Sequence, residues 1–338
     1  MDPRRAPPSP PCDSLARRRR APALDLSEQM NEEEKRKYVR GRSSVRIKVQ
    51  KEYTDGLPPD AVREIKHLQE LQHPNIISLF SVFSSKDQNL NLVLEYLPLG
   101  DLEMLIRDSN SIHYGTADIK AWMGMLTRAV WFCHENYVLH RDIKPNNLLI
   151  AADGEIKLAD FGLARSFADP HQIMTSNHYS GAVDVWSVGC VFAELVLRNP
   201  YLPGETDINQ IELVCRNLGT PTEDNWPGVS KLREYGAIPA EMYPVPSKEV
   251  LRGLFPVGAD GVDLLMRTLV LDPKKRITAA EMLRHEWWGA APKPTRKEDL
   301  PRKDGGEEKM GADLKRRPGL VEEDRGKRVA RKLDFSQM

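Results

Sequence analysis

The stretch VLHRDIKPNNLLIAADGEIKLADFGLAR, residues 138–165, decides how the rest of the chain is read. A polar cluster precedes a turn at Asp153-Gly154, and a short apolar strand beyond the turn ends in Asp160, followed by Phe161 and Gly162. Asp142 and Asn147 stand five residues apart with Lys144 between them. Each oxygen-bearing side chain lies just off a strand-like segment able to hold it still. Transfer of a phosphoryl group needs a carboxylate to orient and deprotonate the attacking hydroxyl, and oxygen ligands for a Mg²⁺ that bridges phosphates. Asp142 suits the first task, Asn147 and Asp160 the second, and Lys144 can steady the transferred phosphate.

Working outward, the segment DAVREIKHLQELQ (residues 60–72) carries Val62, Ile65, Leu68 and Leu71 at helical spacing, with Asp60 as the expected cap. LNLVLEYL, residues 90–97, reads as a strand with a buried face. Beyond Ala117 helices dominate: Ile119, Met123, Leu126, Val130 and Cys133 mark one helix face, and residues 181–197 are apolar on most sides, as a central core helix should be. The expected architecture is α+β and two-lobed, with a small strand-containing lobe over about 32–97 and a larger helical lobe over about 98–290. Residues 1–31 are rich in Pro and Arg without apolar period, and 291–338 are charged in both signs, so both read as disordered tails. The run Arg17–Arg20 is either a nuclear-import patch or an ordinary solvated tail.

The 338 residues, of which 40% are apolar and 29% charged, suit a globular chain of one large domain or two lobes. The formal net charge of zero favours neither side on nucleic acid, and no direct nucleic-acid partner is expected. No apolar run of about 18 residues exists, so no membrane span is expected. The four cysteines are far apart with no CxxC pair, which argues against zinc and disulfide frameworks and for a reducing compartment.

HRDIKPNN together with DFGLAR resembles eukaryotic protein kinases, and the pair in this order and spacing is specific. PPDAVREIKHLQELQHPNII is similar to the cyclin-binding helix of cyclin-dependent kinases, and LGTPTEDNWPGV looks like the insert of that group. LLIAADGEIKLADFGLARSF and LPGETDINQI look like the branch serving as the kinase subunit of general transcription factor TFIIH. KDQNLNLVLEYLPLGDLEMLI and RKLDFSQM look like its fungal members. The resemblance implies ATP and Mg²⁺ as cofactors, Ser/Thr-Pro protein substrates including the RNA polymerase II repeat tail and other cyclin-dependent kinases, a cyclin subunit, an assembly factor, the TFIIH core and a nuclear location. It implies that Glu64 pairs with a strand lysine and that the hinge at Glu95, Tyr96 and Leu97 binds adenine. Leu94 would guard the pocket, Asp101 would stand at the ribose side, and Leu149 would form the floor. Leu94 and Leu149 serve equally as plain core residues. Thr175 matches the activating threonine, and Arg63, Arg141 and Arg165 match the arginines that gather its phosphate.

Two pieces of the family pattern are missing. No GxGxxG occurs in residues 1–60, and SNHYSGAVDVW runs from just after Thr175 straight into Asp184, skipping the peptide-docking stretch and its A-P-E motif. VRIK mimics the lysine signature and nominates Lys48, whereas counting back from the cyclin-binding helix leads to Val45. Arg276, in DPKKRIT, is expected to lack its usual carboxylate partner. Three readings stay open at this point: a Ser/Thr kinase, a cyclin-binding module impaired in turnover, and the product of an incomplete gene model.

Overall fold

The computed structural model describes the backbone of residues 45–50 and residues 59–84, 90–167 and 181–302. Arg17–Arg20, Thr175 and residues 303–338 lie outside the described residues. The small lobe is a three-stranded antiparallel sheet, β1 (Val45–Gln50), β2 (Leu79–Ser84) and β3 (Leu90–Glu95), in the order β1-β3-β2. Helix α1 (Pro59–Glu70) packs against β2 and, more extensively, against the 3-10 turn Phe161–Leu163. The central strand β3 is buried along nearly its whole length, which explains its apolar character; its one buried polar residue, Asn91, donates to the Phe83 carbonyl.

Two details of the small lobe differ from the sequence reading. Asp60 lies within the first turn of α1 and pairs with Arg63 at 2.9 Å rather than capping the helix. Val62 shares the helical spacing of Ile65, Leu68 and Leu71 but is 46% exposed, because it sits at the edge of the apolar stripe.

The large lobe is helical: α2 (Leu102–Arg107), α3 (Thr116–Glu135), α4 (Ala182–Leu197), α5 (Asp207–Leu218), α6 (Lys248–Leu254), α7 (Ala259–Thr268) and α8 (Ala279–Met282). Ile119, Met123, Leu126, Val130 and Cys133 of α3 are all buried, as their period requires. Helix α4 packs on both α3 and α7. At Gly189 a Cβ would overlap the Thr268 side chain, so only glycine lets α4 and α7 approach this closely. Phe192, Trp287 and Trp288 stack in sequence, with centroids 4.7 and 5.0 Å apart, and fill the base of the lobe.

Between the lobes run four short strands: β4 (Val138–Leu139) pairs with β7 (Arg165–Ser166), and β5 (Leu148–Ile150) pairs with β6 (Ile156–Leu158). The polar cluster therefore leads into one hairpin strand and Asp160 leaves the other. Among the described residues no helix is long and apolar enough to cross a membrane. The sequence reading opened the second tail at residue 291. Instead 291–302 lies against α3 and the β5–β6 turn, with Leu300 buried. Its charged composition hid this, because the packing uses one leucine and several backbone groups.

Candidate active site

The candidate cluster is built on hydrogen bonds between its own members. Lys144 Nζ donates to both Asp142 oxygens, at 3.0 and 2.8 Å. Asn147 Nδ2 donates to Asp142 Oδ2 at 2.9 Å and to the Asp142 carbonyl at 2.7 Å. Because both amide hydrogens are spent, Asn147 Oδ1 is the atom left for a ligand, which fits a hard cation. The 3-10 turn Pro145–Asn147 places Asn147 directly before β5.

Asp160 is joined to this cluster through its neighbour. Ala159 N donates to the Asn147 carbonyl at 2.9 Å, and the Ala159 carbonyl meets His140 Nε2 at 3.1 Å. Asp160 itself has the left-handed backbone, φ 65° and ψ 73°, and is exposed. A non-glycine residue there is uncommon, and such strain concentrates where a side chain must be aimed. Phe161 is fully buried and meets the His140 ring edge-on at 4.6 Å, which fixes the turn from below.

The base of the loop hangs on Asp184, in the first turn of α4. Its carboxylate accepts from His134 Nε2 at 3.0 Å, from His140 N at 2.9 Å and from Arg141 N at 2.8 Å. Burial works against this charge, but the His134 hydrogen bond, the His134 and His140 rings and the Arg141 N–H outweigh it and hold the carboxyl below its ordinary range. Those bonds stabilise the left-handed turn at Arg141, φ 65°. Sequence reading placed Asp184 at the start of the central helix but gave it no part in the site. Its signal was a lone acidic residue at the head of an apolar helix, where charge is costly unless satisfied.

The residues expected on the nucleotide side are placed as follows. Leu94 and Leu97 are buried near the end of β3 and just past it, and Leu149 is half-buried on β5. Asp101 bridges to Leu149 through the backbone. Its Oδ1 accepts from Met104 N at 2.9 Å, so it caps α2, and burial foremost pushes its carboxyl up. The Glu95 side chain pairs with Lys157 at 3.0 Å, tying the end of β3 to β6. Lys48 stands opposite Leu92 and Val45 opposite Glu95 in the β1–β3 register. Lys48 thus sits at a mid-strand position, whereas Val45 opens the strand. Glu64 is buried on α1.

The three arginines come from elements around Phe161–Leu163. Arg63 is on α1. Arg165 is on β7, exposed and opposite Leu139, and Arg141 Nε donates to the Leu163 carbonyl at 2.7 Å. Arg276, expected to lack its usual carboxylate, is held by backbone carbonyls. It donates to Ala182 O at 2.5 Å and Val270 O at 2.8 and 3.0 Å, and its guanidinium lies 4.8 Å from the Trp186 ring centroid.

The chain matches the protein kinase domain over residues 30–288. It is 48% identical over 261 residues to the serine/threonine-protein kinase KIN28 of Saccharomyces cerevisiae, covering 72% of this chain and 84% of that protein. It is 38% identical over 308 residues to cyclin-dependent kinase 7 of Xenopus laevis, covering 84% of each. Among solved structures it resembles the CAK complex from Chaetomium thermophilum bound to ATP-gamma-S, at 65% identity and a TM-score of 0.72, over 77% of this chain and 87% of that one. The yeast RNA Pol II CTD kinase CTDK-1 complex follows the same fold at 27% identity and a TM-score of 0.68, over 75% and 88% of the two chains. With the Asp142–Lys144–Asn147 cluster joined to Asp160 on a two-lobed frame, the chain belongs to the protein kinase family, as a cyclin-dependent Ser/Thr kinase related to KIN28 and cyclin-dependent kinase 7.

Proposed function

We propose that this chain transfers the ATP γ-phosphate to Ser or Thr hydroxyls followed by Pro in the RNA polymerase II repeat tail, and to other cyclin-dependent kinases. The observation that carries the reading is the hydrogen-bonded set of Asp142, Lys144 and Asn147 tied through Ala159 to Asp160. Asp142 orients the attacking hydroxyl and accepts its proton, and Lys144 is poised to move from Asp142 to the transferred phosphate. Asn147 Oδ1 and Asp160 would hold Mg²⁺, which supplies charge neutralisation between the phosphates. Leu94, Leu149 and the backbone of Glu95 and Leu97 would enclose adenine, Asp101 would face the ribose, and Lys48, steadied by Glu64, would reach the phosphates.

The names of the relatives support the substrate: one neighbour is a polymerase-tail kinase and another a CAK complex. A cyclin is the proposed partner. Val62 on α1 and Phe80 on the adjoining β2 are apolar and exposed, at 46% and 52%, on the surface it would cover. An assembly factor and the TFIIH core complete the proposed assembly, in the nucleus. Phosphate on Thr175 would draw Arg63, Arg141 and Arg165 together.

The test is transfer of labelled phosphate to a Ser-Pro heptad peptide by the chain with its cyclin. Transfer is expected from the natural chain, with a loss of about 10²–10⁴-fold in Asp142→Asn. A second reading, a cyclin-binding module without turnover, is favoured by the missing Gly-rich loop and A-P-E segment in the sequence. Cyclin binding without any transfer by the natural chain would select it.

A further inference from the structure

Residues 291–302 are charged and short of apolar groups, yet they are bound at both ends. At the near end the fully buried Lys120 ammonium of α3 donates to the carbonyls of Ala290 at 3.0 Å and Pro292 at 2.9 Å. Next, Thr295 N donates to Ala117 O at 3.1 Å, and Thr295 Oγ1 bonds Asp118 Oδ1 at 2.7 Å. At the far end Lys297 Nζ pairs with Asp153 at 2.7 Å and lies 3.8 Å from Glu155, while Arg302 Nη1 donates to Ala152 O at 2.8 Å. Leu300 is the apolar anchor, 3% exposed.

Exposed ion pairs alone would hold such a segment weakly. The closer fit is at Gly154, the turn glycine of the β5–β6 hairpin. It has φ +88°, and a Cβ there would overlap the Lys297 carbonyl oxygen. The segment is therefore seated backbone against backbone on the tip of this hairpin, at a position only glycine allows.

The same hairpin reaches the site at its other end. Ile150 N donates to Gly100 O at 2.9 Å and Leu99 N to Ile150 O at 3.3 Å, so β5 is fastened to the segment following the hinge. Leu149 projects from β5, and β6 leads through Ala159 to Asp160. A load on residues 152–155 is carried by two short strands to both the adenine side and the metal side.

We propose that residues 291–302 form a strap that positions the β5–β6 hairpin, and through it Leu149 and Asp160, for nucleotide binding, with Lys297, Arg302 and Gly154 as positioning residues. This rests on the phosphoryl-transfer reading above. The strap touches no reacting atom, and its effect falls on nucleotide affinity rather than on proton transfer.

The test uses the full chain with two variants, Lys297→Met/Arg302→Met and Gly154→Ala. Amide exchange is read at the strap, the hairpin and α7, and the Kd of Mg·ATP is measured alongside. The strap and hairpin amides are expected to exchange about tenfold faster, α7 to stay unchanged, and Mg·ATP affinity to fall about 3–10-fold, with Lys297→Arg retaining the natural values. Freed strap amides with natural hairpin exchange or natural nucleotide affinity would overturn the proposal. So would a strap that stays protected in both variants. If the natural chain binds no nucleotide, the phosphoryl-transfer reading fails, and the hairpin exchange still decides whether the strap positions it.

Discussion

Two charges of opposite sign meet the start of α4, Asp184 buried within its first turn and Arg276 half-buried against it. Asp184 meets three donors, and its carboxyl is held below the ordinary range despite burial. Arg276, which reaches the same first turn at Ala182 O, meets backbone carbonyls and the Trp186 face among the described residues, and burial lowers its guanidinium to about 10. Both are hydrogen-bonded, so neither is an orphan. The difference is that Asp184 is matched by a histidine and two N–H groups aimed at it, whereas Arg276 leans on neutral main-chain carbonyls. The first arrangement fixes the backbone at His140 and Arg141, beside the Asp142 cluster. The second holds a cation on backbone oxygens alone among the described residues.

The largest effect that sharpens this contrast is expected at Asp184→Asn. The amide cannot accept from all three donors at once, and a buried partner left unmatched costs about 3–5 kcal/mol. Urea unfolding of the chain measures it, and a loss below about 1 kcal/mol would break the contrast. Arg276→Met is expected to cost less, about 1–2 kcal/mol. The apolar stem can still cover Trp186, and what is lost is hydrogen bonding to carbonyls. An Arg276→Met cost exceeding that of Asp184→Asn would reverse the comparison.

The smallest effect concerns pH. His140, His67 and His73 all have pKa values lowered, burial being the first cause in each. Each is neutral in the fold and binds its proton more readily once unfolded, where the ordinary value is 6.5. Stability from these groups is therefore complete above about pH 6.5 and is lost as pH falls below it. The thermal midpoint should fall by a few degrees between pH 7 and pH 5. His67 lies on α1, and its Nδ1 has no partner among the described residues. His67→Leu should flatten the slope, and an unchanged slope would mean that His67 does not contribute to it.

Much of the site was legible because its chemistry is local in sequence. Asp142, Lys144 and Asn147 lie within six residues, and their spacing alone forces them into one turn. The helix periods of α3 and α4 were readable for the same reason. What escaped were partners that a sequence does not display. Arg276 bonds instead to the carbonyls of Val270, Leu271 and Ala182, whose side chains say nothing of it. The strap escaped because its receptor is a glycine turn and its composition is that of a solvated tail. Asp184 was visible as a residue but not as an anchor, since its three donors come from positions 43 to 50 residues earlier.

The central claim is that Asn147 and Asp160 open on one cleft beside Asp142. Calorimetric titration with a non-hydrolysable ATP analogue, with and without Mg²⁺, addresses it most directly. The account predicts binding that strengthens with Mg²⁺ and that Asp160→Asn loses this strengthening, with affinity down about tenfold or more. Equal affinity with and without Mg²⁺, or an Asp160→Asn chain that binds Mg·nucleotide as the natural one does, would contradict it.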